Sequence, residues 1–496
     1  MTYPQPLSAK HRNSFAYVTV RDRLPTILGR VIDFVYRSWD GFRKKYGKEA
    51  EEDINLINAA LSRLHYQIQT NKPLEPITDN KDDKILWNSE FDKLFKKDGN
   101  LLWFESPWLF IETFMYRKIN ESFFNSKFLQ DFDPFSEIKH QSFENSIDAI
   151  LIICEYLYKL NNLGWEDSDA MEAIFHKIMK VSLWGNKFDL SLSNMNATQV
   201  VENPLVNLDS FDPFIMRNDL QFVLNHLKRL KERSLGATNN LHQKGLYIRT
   251  IDLILDNSGF ELFTDLVLAY YLLKSNYTDR IILRGKIMPW YVSDTTAKDF
   301  IDLLTWLSNP EDDCENHQKY NDLYVREDVK NKTEAGEDPK NISVIDKDMK
   351  EEMKFYGKWF AREIKQLMEN RDCKTLHDRD LSRIEYKDNY YWTLPSDYDA
   401  MSDLDPKLYQ ELSHSDLLIF KGDLNFRKLV GDLQWIPHTS FREALRRFTP
   451  APLLTMRTNK SDLIVGISPQ IEEIAEKTYP QNWMISGEYA IIEFDR

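Results

Sequence analysis

The sequence predicts an α/β protein, in which a three-layer α/β/α, Rossmann-like sheet follows a helical N-terminal lobe. Two observations carry this prediction. Apolar residues recur at helical spacing in the first part of the chain, and after residue 246 β-branched runs alternate with helical segments. Such alternation indicates a largely parallel sheet that helices cover. We therefore expect the helical lobe over residues 1–185 and the α/β domain over residues 186–496.

The N-terminal lobe is predicted from apolar stripes and from one helix start. Apolar residues repeat every three or four positions over 24–35 and 54–68, which is typical of amphipathic helices. Ser106 followed by Pro107 favours the start of a further helix. Before about residue 247 the sequence predicts no strong strand, apart from a short candidate at 16–20.

The α/β domain is predicted from short apolar runs separated by helical segments. The predicted strands are 250–255, 280–284, 417–421, 452–457, 462–467 and 489–494, and the predicted helices are 258–274 and 296–308. Short links between the last strands favour an antiparallel arrangement at one edge. Residues 309–350 are charged and lack apolar periodicity, so we expect a mobile surface insertion there.

Composition limits the classes of binding partner and the cellular compartment that we expect for this chain. The net charge of −14 argues against a nucleic acid or an anionic membrane as the main partner. No run reaches the roughly 18 apolar residues of a membrane span. The three cysteines, Cys154, Cys314 and Cys373, are widely spaced, which fits a reducing compartment. We expect a cytoplasmic and/or nuclear protein, and its oligomeric state stays open.

Polar residues follow the predicted strands at their carboxyl ends, where α/β sheets bind ligands. Asp256 and Asn257 follow the first strand and offer oxygen atoms suited to a divalent cation. The alternative is an ordinary strand-to-helix turn, in which Ser258 and Glu261 form a capping box. Asp294 follows the second strand, and its alternative role is a helix N-cap. Together, Asp256, Asn257 and Asp294 would give the three-oxygen site that metal-assisted hydrolysis requires.

The segment 422–428 predicts a phosphate-binding turn. Gly422 permits a positive φ, the following N–H groups suit an anion, and Arg427 suits bidentate phosphate binding. Asp423 is suited to orient or deprotonate a water molecule. The alternative is a solvated loop with an Asx-turn. Arg457 and Lys460 add two cations at another strand end, with surface salt bridges as the alternative.

Three further polar residues are candidates at the edge of this site. Asn186 either holds a turn after Gly185 or lines the pocket, and Glu112 and Arg117 are first interpreted as a buried ion pair.

Several known signatures are absent from the sequence. It contains no phosphate-binding P-loop, no Gly-x-Gly-x-x-Gly, no Gly-x-Ser-x-Gly and no His-x-x-His pair. A zinc hydrolase site is therefore disfavoured.

Five ordered segments resemble the damage-control phosphatase family, in its eukaryotic branch with an Arg-Thr-x-Lys motif, also described as acidic-residue methyltransferase-like. They are Ser182-Leu-Trp-Gly-Asn-Lys-Phe-Asp-Leu-Ser, Leu255-Asp-Asn-Ser-Gly-Phe-Glu-Leu, Val292-Ser-Asp-Thr-Thr, Phe420-Lys-Gly-Asp-Leu-Asn-Phe-Arg-Lys-Leu and Arg457-Thr-Asn-Lys. The resemblance runs from Ser14 to the segments around Trp483 and Phe494. The predicted insertion at 309–350 is longer than the family norm and leaves every motif intact.

The resemblance implies a metal-dependent phosphatase that acts on sugar phosphates such as fructose 1-phosphate. It implies Mn²⁺, Co²⁺ or Ni²⁺ as the metal, with Mg²⁺ less favoured. By motif position, the metal ligands fall on Asp256, Asn257 and Asp294. The implied substrate contacts are Asp423, Leu424, Asn425, Phe426, Arg427 and Lys460. Glu261 falls where a methyltransferase would hold S-adenosylmethionine.

The leading hypothesis is hydrolysis of a small phosphorylated metabolite, with Asp256 and Asp423 as catalytic residues in an α/β catalytic domain. Glu261, Asn186, Arg457, Glu112 and Arg117 are candidate supporting residues. One rival is an S-adenosylmethionine-dependent carboxyl (glutamate) methyltransferase, although the first strand lacks the Gly-rich turn of nucleoside-binding folds. The other is a non-catalytic sugar-phosphate-binding regulator, which the intact set of polar residues disfavours.

Overall fold

A computed structural model describes residues 3–165, 169–193, 204–205, 208–238, 247–308, 347–369 and 382–496. Most of the predicted insertion, residues 309–346, lies outside this range. Its last four residues, 347–350, begin a helix, and the mobile insertion stays a prediction. No helix in the described ranges is both long and apolar enough to cross a bilayer.

The first part of the chain is helical, as its apolar periodicity predicts. Its helices are α1 (Phe15–Val18), α2 (Leu24–Arg37), α3 (Trp39–Tyr46), α4 (Ala50–Gln69), α5 (Lys84–Asp98), α6 (Trp108–Phe124), α7 (Ser136–Asn145), α8 (Ile147–Leu163) and α9 (Asp169–Ser193). The strand candidate at 16–20 is wrong. The Ser14 side chain caps α1 by accepting the Tyr17 N–H, and a π-helical turn continues over Thr19–Arg23.

In the part of the chain that the structure describes, seven strands form one sheet in the order β1-β7-β6-β5-β2-β3-β4. They are β1 (Ile215–Asn218), β2 (Thr250–Ile254), β3 (Arg280–Gly285), β4 (Ile384–Asp388), β5 (Leu417–Lys421), β6 (Leu453–Thr458) and β7 (Ala490–Asp495). The sequence missed β1 and β4. Both are edge strands with polar residues, so neither has the apolar run of a central strand.

The predicted strand at 462–467 is also wrong. Its apolar residues are buried, but the backbone turns there instead of joining the sheet, because the Leu463 N–H donates to the Ser461 carbonyl and Gly466 adopts a φ of 75°. The predicted antiparallel pairing exists between β6 and β7, whereas the other pairs are parallel. β7 is second from the edge, because β1 adds to its outer side.

The remaining helices complete the cover of the sheet. They are α10 (Leu220–Thr238), α11 (Phe260–Lys274), α12 (Ala297–Ser308), α13 (Lys347–Glu369), α14 (Met401–Leu404), α15 (Pro406–Ser413), α16 (Gly422–Val430), α17 (Phe441–Ala444) and α18 (Pro469–Thr478). The predicted boundary at 185/186 falls inside α9, and the division into two domains stays a prediction.

Two apolar clusters show that the sheet has a helical layer on each face. Along β5, Leu418 and Phe420 belong to one cluster, whereas Leu417 and Ile419 belong to the other. Since successive strand side chains point to opposite faces, the clusters lie on opposite sides of the sheet. The first contains the helices before about residue 135, and the second contains α8, α9, α11 and α13. The three-layer α/β/α prediction is confirmed.

Candidate functional site

A cavity of about 310 Å³ lies at the carboxyl ends of the central strands. Within the sheet, β3 and β4 lie on one side of β2, and β5 and β6 lie on its other side. The β2–β5 boundary is therefore a topological switch point, where open α/β sheets bind ligands. Ten predicted site residues line this cavity: Glu112, Asp256, Asn257, Glu261, Asp294, Asp423, Leu424, Arg427, Arg457 and Lys460.

Gly422 brings the ends of β2 and β5 together. Its φ is 81°, which a residue with a side chain rarely adopts. A Cβ atom placed there would lie 1.9 Å from Asp256 Oδ2. Only glycine therefore allows the Asp256 carboxylate to rest against the first turn of α16.

Four polar residues at the ends of β2 and β3 form what we call the acidic wall: Asp256, Asn257, Glu261 and Asp294. Asn257 Nδ2 donates to Asp256 Oδ2 at 2.9 Å and to Glu261 Oε2 at 2.8 Å. The backbones of Asn257 and Asp294 form an isolated antiparallel bridge. The structure thus brings together the three predicted metal ligands.

The acidic wall concentrates negative charge in a buried place. Burial raises the pKa of Asp256 well above its usual range, and the nearby Glu261 and Asp294 raise it further. Burial also raises the pKa of Asp294, which Lys286 opposes. Lys286 Nζ lies 3.1 Å from Asp294 Oδ2. Carboxylates that crowd together in this way favour the binding of a cation between them.

The alternative roles for Glu261 and Asp294 are wrong. The N-cap of α11 is Gly259, and no side chain caps that end, so Ser258 and Glu261 do not form a capping box. At the start of α12, Thr296 and Asp299 form the reciprocal cap, in which the Thr296 N–H donates to Asp299 at 2.8 Å. The carboxylates of Glu261 and Asp294 instead face the cavity.

The turn before Asp294 has an unusual backbone. Tyr291 and Val292 have φ values of 41° and 70°. A positive φ in a β-branched residue such as Val292 is strained, and such strain clusters at functional sites. The Ser293 hydroxyl, which follows, donates to Asn257 Oδ1 at 2.5 Å. The strained turn therefore places a hydroxyl against one predicted metal ligand.

Asp423 organises a second side of the cavity. Its Oδ1 accepts the Lys460 N–H at 3.2 Å and the Ser461 hydroxyl at 3.1 Å. Arg457 Nη1 lies 3.3 Å from the same oxygen, and its guanidinium stacks 4.1 Å from the Phe426 ring. Burial lowers the pKa of Lys460, whereas Glu261 and the nearby aspartates raise it. Asp423 therefore holds the backbone that carries Lys460.

Four residues from distant parts of the chain form what we call the interlobe wall: Trp108, Glu112, Tyr291 and Arg427. Arg427 Nη1 donates to Glu112 Oε2 at 2.6 Å, and its guanidinium lies 3.7 Å from the Trp108 ring. The remaining guanidinium edge donates to Asp432 at 2.8 and 3.2 Å. Tyr291 donates to Glu112 at 3.1 Å. Arg427 thus holds α6 and α16 together beside the cavity.

Three predicted residues, Asn425, Phe426 and Arg117, are not among the described residues that line the cavity. Asn425 donates to the backbone carbonyls of Leu255 and Lys421, and Phe426 lies beneath Arg457. Arg117 pairs with Asp79 and Asp83 at 2.5 and 2.8 Å, so the expected pairing with Glu112 is wrong. Asn186 lies in α9, and its side chain is outside the described part of the chain.

The sequence missed several residues of the site. Arg23, Trp108 and Tyr291 line the cavity, while Lys286 and Asp432 hold residues that do. Lys286 follows β3 directly, so the strand-end signal that found Asp294 could have found it. Trp108 and Tyr291 show no local signal, because Arg427 and Glu112, which they contact, lie far away in the sequence.

The fold and the site define a three-layer α/β/α protein with an acidic, cation-flanked cavity at its switch point. Residues 19–474 match the damage-control phosphatase ARMT1-like domain, and the chain belongs to that family. This confirms the predicted resemblance.

Individual relatives match along nearly their whole length. Damage-control phosphatase ARMT1 of Danio rerio is 37% identical over 498 residues, covering 100% of this chain and 97% of that protein. The protein of the same name from Homo sapiens is 36% identical over 500 residues, covering 99% and 98%. A crystal structure of a DUF89 family protein from Pyrococcus horikoshii matches at 12% identity and a TM-score of 0.39, covering 89% of this chain and 98% of that one.

Proposed function

We propose that this protein is a metal-dependent phosphoric monoester hydrolase of small phosphorylated metabolites, with sugar phosphates such as fructose 1-phosphate as substrates. The observation that carries the proposal is the pairing, in one cavity, of the acidic wall with Lys460 and Arg457. A phosphoryl group needs a metal on one side and cations on the other, because negative charge is spread over its oxygens. The name of the relatives, damage-control phosphatase, supports the same activity.

The residues of the acidic wall fit a divalent metal. Asp256, Asn257 and Asp294 supply carboxylate and amide oxygens, which hard and borderline cations prefer. The approach of Asp256 to Gly422 leaves no room for a side chain in this cradle. Within the described ranges no group of three or more His, Cys, Asp or Glu residues is arranged to hold a metal. The proposed ligands are two carboxylates and one amide oxygen, so water and substrate would complete the coordination of Mn²⁺, Co²⁺ or Ni²⁺.

A bound metal would polarise the phosphoryl group and lower the pKa of a coordinated water. The chain itself supplies the remaining groups. Lys460 provides a positive charge for the phosphoryl oxygens, and Asp423 is placed to orient the attacking water. Asp423 already accepts the Lys460 N–H, so one residue would set the position of both the water and the cation.

Arg427 is assigned a different role from the bidentate phosphate contact that the sequence predicts. Its Nε, Nη1 and Nη2 atoms already donate to Asp432 and Glu112. Gripping a phosphate with the same edge would leave a buried carboxylate unpaired, which is costly. We propose that Arg427 contributes positive potential and shape to the substrate pocket.

The size of the cavity favours a small substrate. Its volume of about 310 Å³ lies at the lower end of the range of small-molecule pockets. Glu112 and Tyr291 also line the cavity, and their polar groups suit a hydroxyl-bearing leaving group. A phosphorylated sugar meets both requirements.

Phosphate release by metal-stripped protein tests the proposal. Mg²⁺, Mn²⁺, Co²⁺ and Ni²⁺ would each be added back, with p-nitrophenyl phosphate and fructose 1-phosphate as substrates. We expect metal-dependent release that the Asp256→Ala variant loses, because that variant removes a proposed metal ligand and catalytic residue.

Asp302→Ala is the matched control, since Asp302 is an exposed acid of α12 that pairs only with Lys298 among the described residues. It should retain full activity. Release by Asp256→Ala at the wild-type rate would refute the site. Tight binding of fructose 1-phosphate without release under any metal would instead support a non-catalytic binding protein.

A further inference from the structure

Lys421 is a buried cation that the proposed chemistry does not use. It is the last residue of β5, directly before Gly422, and its side chain is 1% exposed. The preceding strand residues, 417–420, are all apolar and buried. A charged group in such a place is unfavourable unless it is paired and hydrogen-bonded.

Partners surround the Lys421 ammonium group. Nζ donates to Asp265 Oδ1 at 2.6 Å, to Ser182 Oγ at 2.8 Å and to the Ser182 carbonyl at 2.9 Å. The Ser182 hydroxyl in turn donates to Asp265 Oδ1 at 2.8 Å. We call Lys421, Asp265 and Ser182 the Lys421 triad. It joins β5, α11 and α9, so its geometry is fixed by three elements.

The Lys421 triad reaches the acidic wall through Glu261. Lys421 Nζ lies 3.3 Å from Glu261 Oε1. The other oxygen of the same carboxylate, Oε2, accepts the Asn257 side-chain amide at 2.8 Å. Lys421 therefore holds one oxygen of the Glu261 carboxylate while the other oxygen contacts Asn257.

The position of the Glu261 carboxylate sets which way the Asn257 amide faces. The NH₂ group donates to Glu261 Oε2 and to Asp256 Oδ2, so it points towards both carboxyl groups. The opposite orientation would place the amide oxygen against two carboxylates. Asn257 Oδ1 consequently faces Ser293, which lines the cavity next to Asp294, and accepts its hydroxyl.

We propose that the Lys421 triad is a positioning device that keeps the Asn257 amide oxygen available to the metal. This inference rests on the proposed function, because it needs a metal at the acidic wall. Groups that orient metal ligands from behind commonly change metal affinity by about 10- to 100-fold when they are replaced. Stability alone does not explain the triad, because apolar residues often replace a buried ion pair without loss.

The dissociation constant of Mn²⁺, measured by calorimetric titration of the metal-stripped full-length protein, tests the proposal. Lys421→Met removes the charge and keeps the length of the side chain. We expect it to weaken Mn²⁺ binding by about 10- to 100-fold. Urea unfolding of the same metal-free samples would show how much stability each variant loses.

Lys428→Met is the matched control. Lys428 is also fully buried, seven residues further on, but its Nζ donates to the backbone carbonyls of Tyr391 and Leu394. We expect Lys428→Met to lower the urea midpoint and to leave Mn²⁺ affinity within about threefold of wild type, since no metal ligand depends on it. The contrast separates positioning from general destabilisation.

Glu261→Gln is the second variant and stands in if Lys421→Met does not fold. Its amide can donate to Asn257 Oδ1, so the Asn257 side chain is free to reverse. We expect Mn²⁺ binding about 10-fold weaker than wild type.

Three results are decisive. Wild-type Mn²⁺ affinity in Lys421→Met, or in Glu261→Gln if the first variant does not fold, would overturn the positioning role. Equal weakening in Lys428→Met would overturn it too. Absence of binding by the wild-type protein, or wild-type binding by Asp256→Ala, would instead refute the proposed metal site.

Discussion

The acidic wall comes from the ends of two adjacent strands, whereas the interlobe wall joins residues that lie 315 positions apart, such as Glu112 and Arg427. In the acidic wall the carboxylates face one another, and burial raises the pKa of Asp256 and Asp294. In the interlobe wall the one carboxylate, Glu112, has a guanidinium partner, Arg427. The acidic wall instead holds three carboxylates against two ammonium partners, Lys286 at Asp294 and Lys421 at Glu261.

This difference indicates that the two walls have different roles. Unbalanced, buried carboxylates are unfavourable without a cation, so the acidic wall is suited to bind one. A neutralised cluster gains nothing from a further ion, and it stabilises the contact between α6 and α16. We therefore expect changes in the acidic wall to alter metal binding and catalysis, and changes in the interlobe wall to alter stability first.

Among changes outside the acidic wall, the largest effect is expected from Gly422→Ala, which displaces Asp256. The new Cβ would lie 1.9 Å from Asp256 Oδ2, so the carboxylate must move. Misplacement of a reacting group by about 1 Å costs on the order of 100-fold in rate. We expect kcat for fructose 1-phosphate to fall by about that factor.

Gly29→Ala is the matched control, because nothing lies within 4 Å of a Cβ at that helical position. It should leave kcat unchanged and stabilise the protein by up to about 1 kcal/mol. A Gly422→Ala enzyme with wild-type kcat would show that Asp256 tolerates displacement, and the acidic wall would lose its assigned role.

A smaller effect on catalysis is expected from Arg427→Lys in the interlobe wall. Lysine cannot serve both Glu112 and Asp432, so one buried carboxylate is left unpaired. Breaking a buried ion pair costs about 3–5 kcal/mol of unfolding free energy. We expect a loss near the lower value, about a 10-fold fall in kcat/KM and unchanged Mn²⁺ affinity.

Arg447→Lys provides the comparison, since the Arg447 side chain is 57% exposed and pairs with Asp399 and Asp403. Exposed pairs contribute less than about 1 kcal/mol, so stability should barely change. If Arg427→Lys weakened Mn²⁺ binding as strongly as Asp256→Ala does, the two walls would not be separable.

The smallest effect on catalysis is expected from Glu493→Gln, which lies in β7 opposite Thr455 of β6. Among the described residues neither Glu493 carboxyl oxygen has a hydrogen-bond partner, and burial raises its pKa to about 8. The folded state therefore favours the protonated acid. The resulting stability is present below the unfolded pKa of 4.5 and is lost as pH rises through about 8.

Urea unfolding of the wild type and of Glu493→Gln across this pH range measures the effect. We expect the wild type to lose on the order of 4 kcal/mol relative to the variant between about pH 5 and pH 9. The kcat values should agree at neutral pH. Parallel stability curves would show that folding does not raise the pKa of Glu493.

Much of the sheet could be predicted because its central strands are buried on both faces. Such strands appear in the sequence as continuous apolar runs, such as 417–420 in β5. The edge strands β1 and β4 lack this signal, since each mixes polar and apolar residues. The predicted strand at 462–467 was wrong because burial in a turn leaves the same apolar pattern as burial in a strand.

The site shows the same division. Asp256, Asn257, Asp294 and Asp423 could be predicted because parallel strands bring their carboxyl ends to one edge. For Glu261 the sequence favoured a helix cap, and only the folded chain shows that its carboxylate lies between Lys421 and Asn257. A capping box and a buried acid have the same local sequence.

The sequence by itself determined the α/β/α class, the family and the positions of the strand-end acids, because periodicity and local motifs encode them. Tertiary structure alone decided that Arg427 serves Glu112 and Asp432, and that Lys421 supports Asn257 through Glu261. The sequence does not indicate which residue a charged side chain will pair with. The partner is chosen when the chain buries both groups, because an unpaired buried charge costs several kcal/mol.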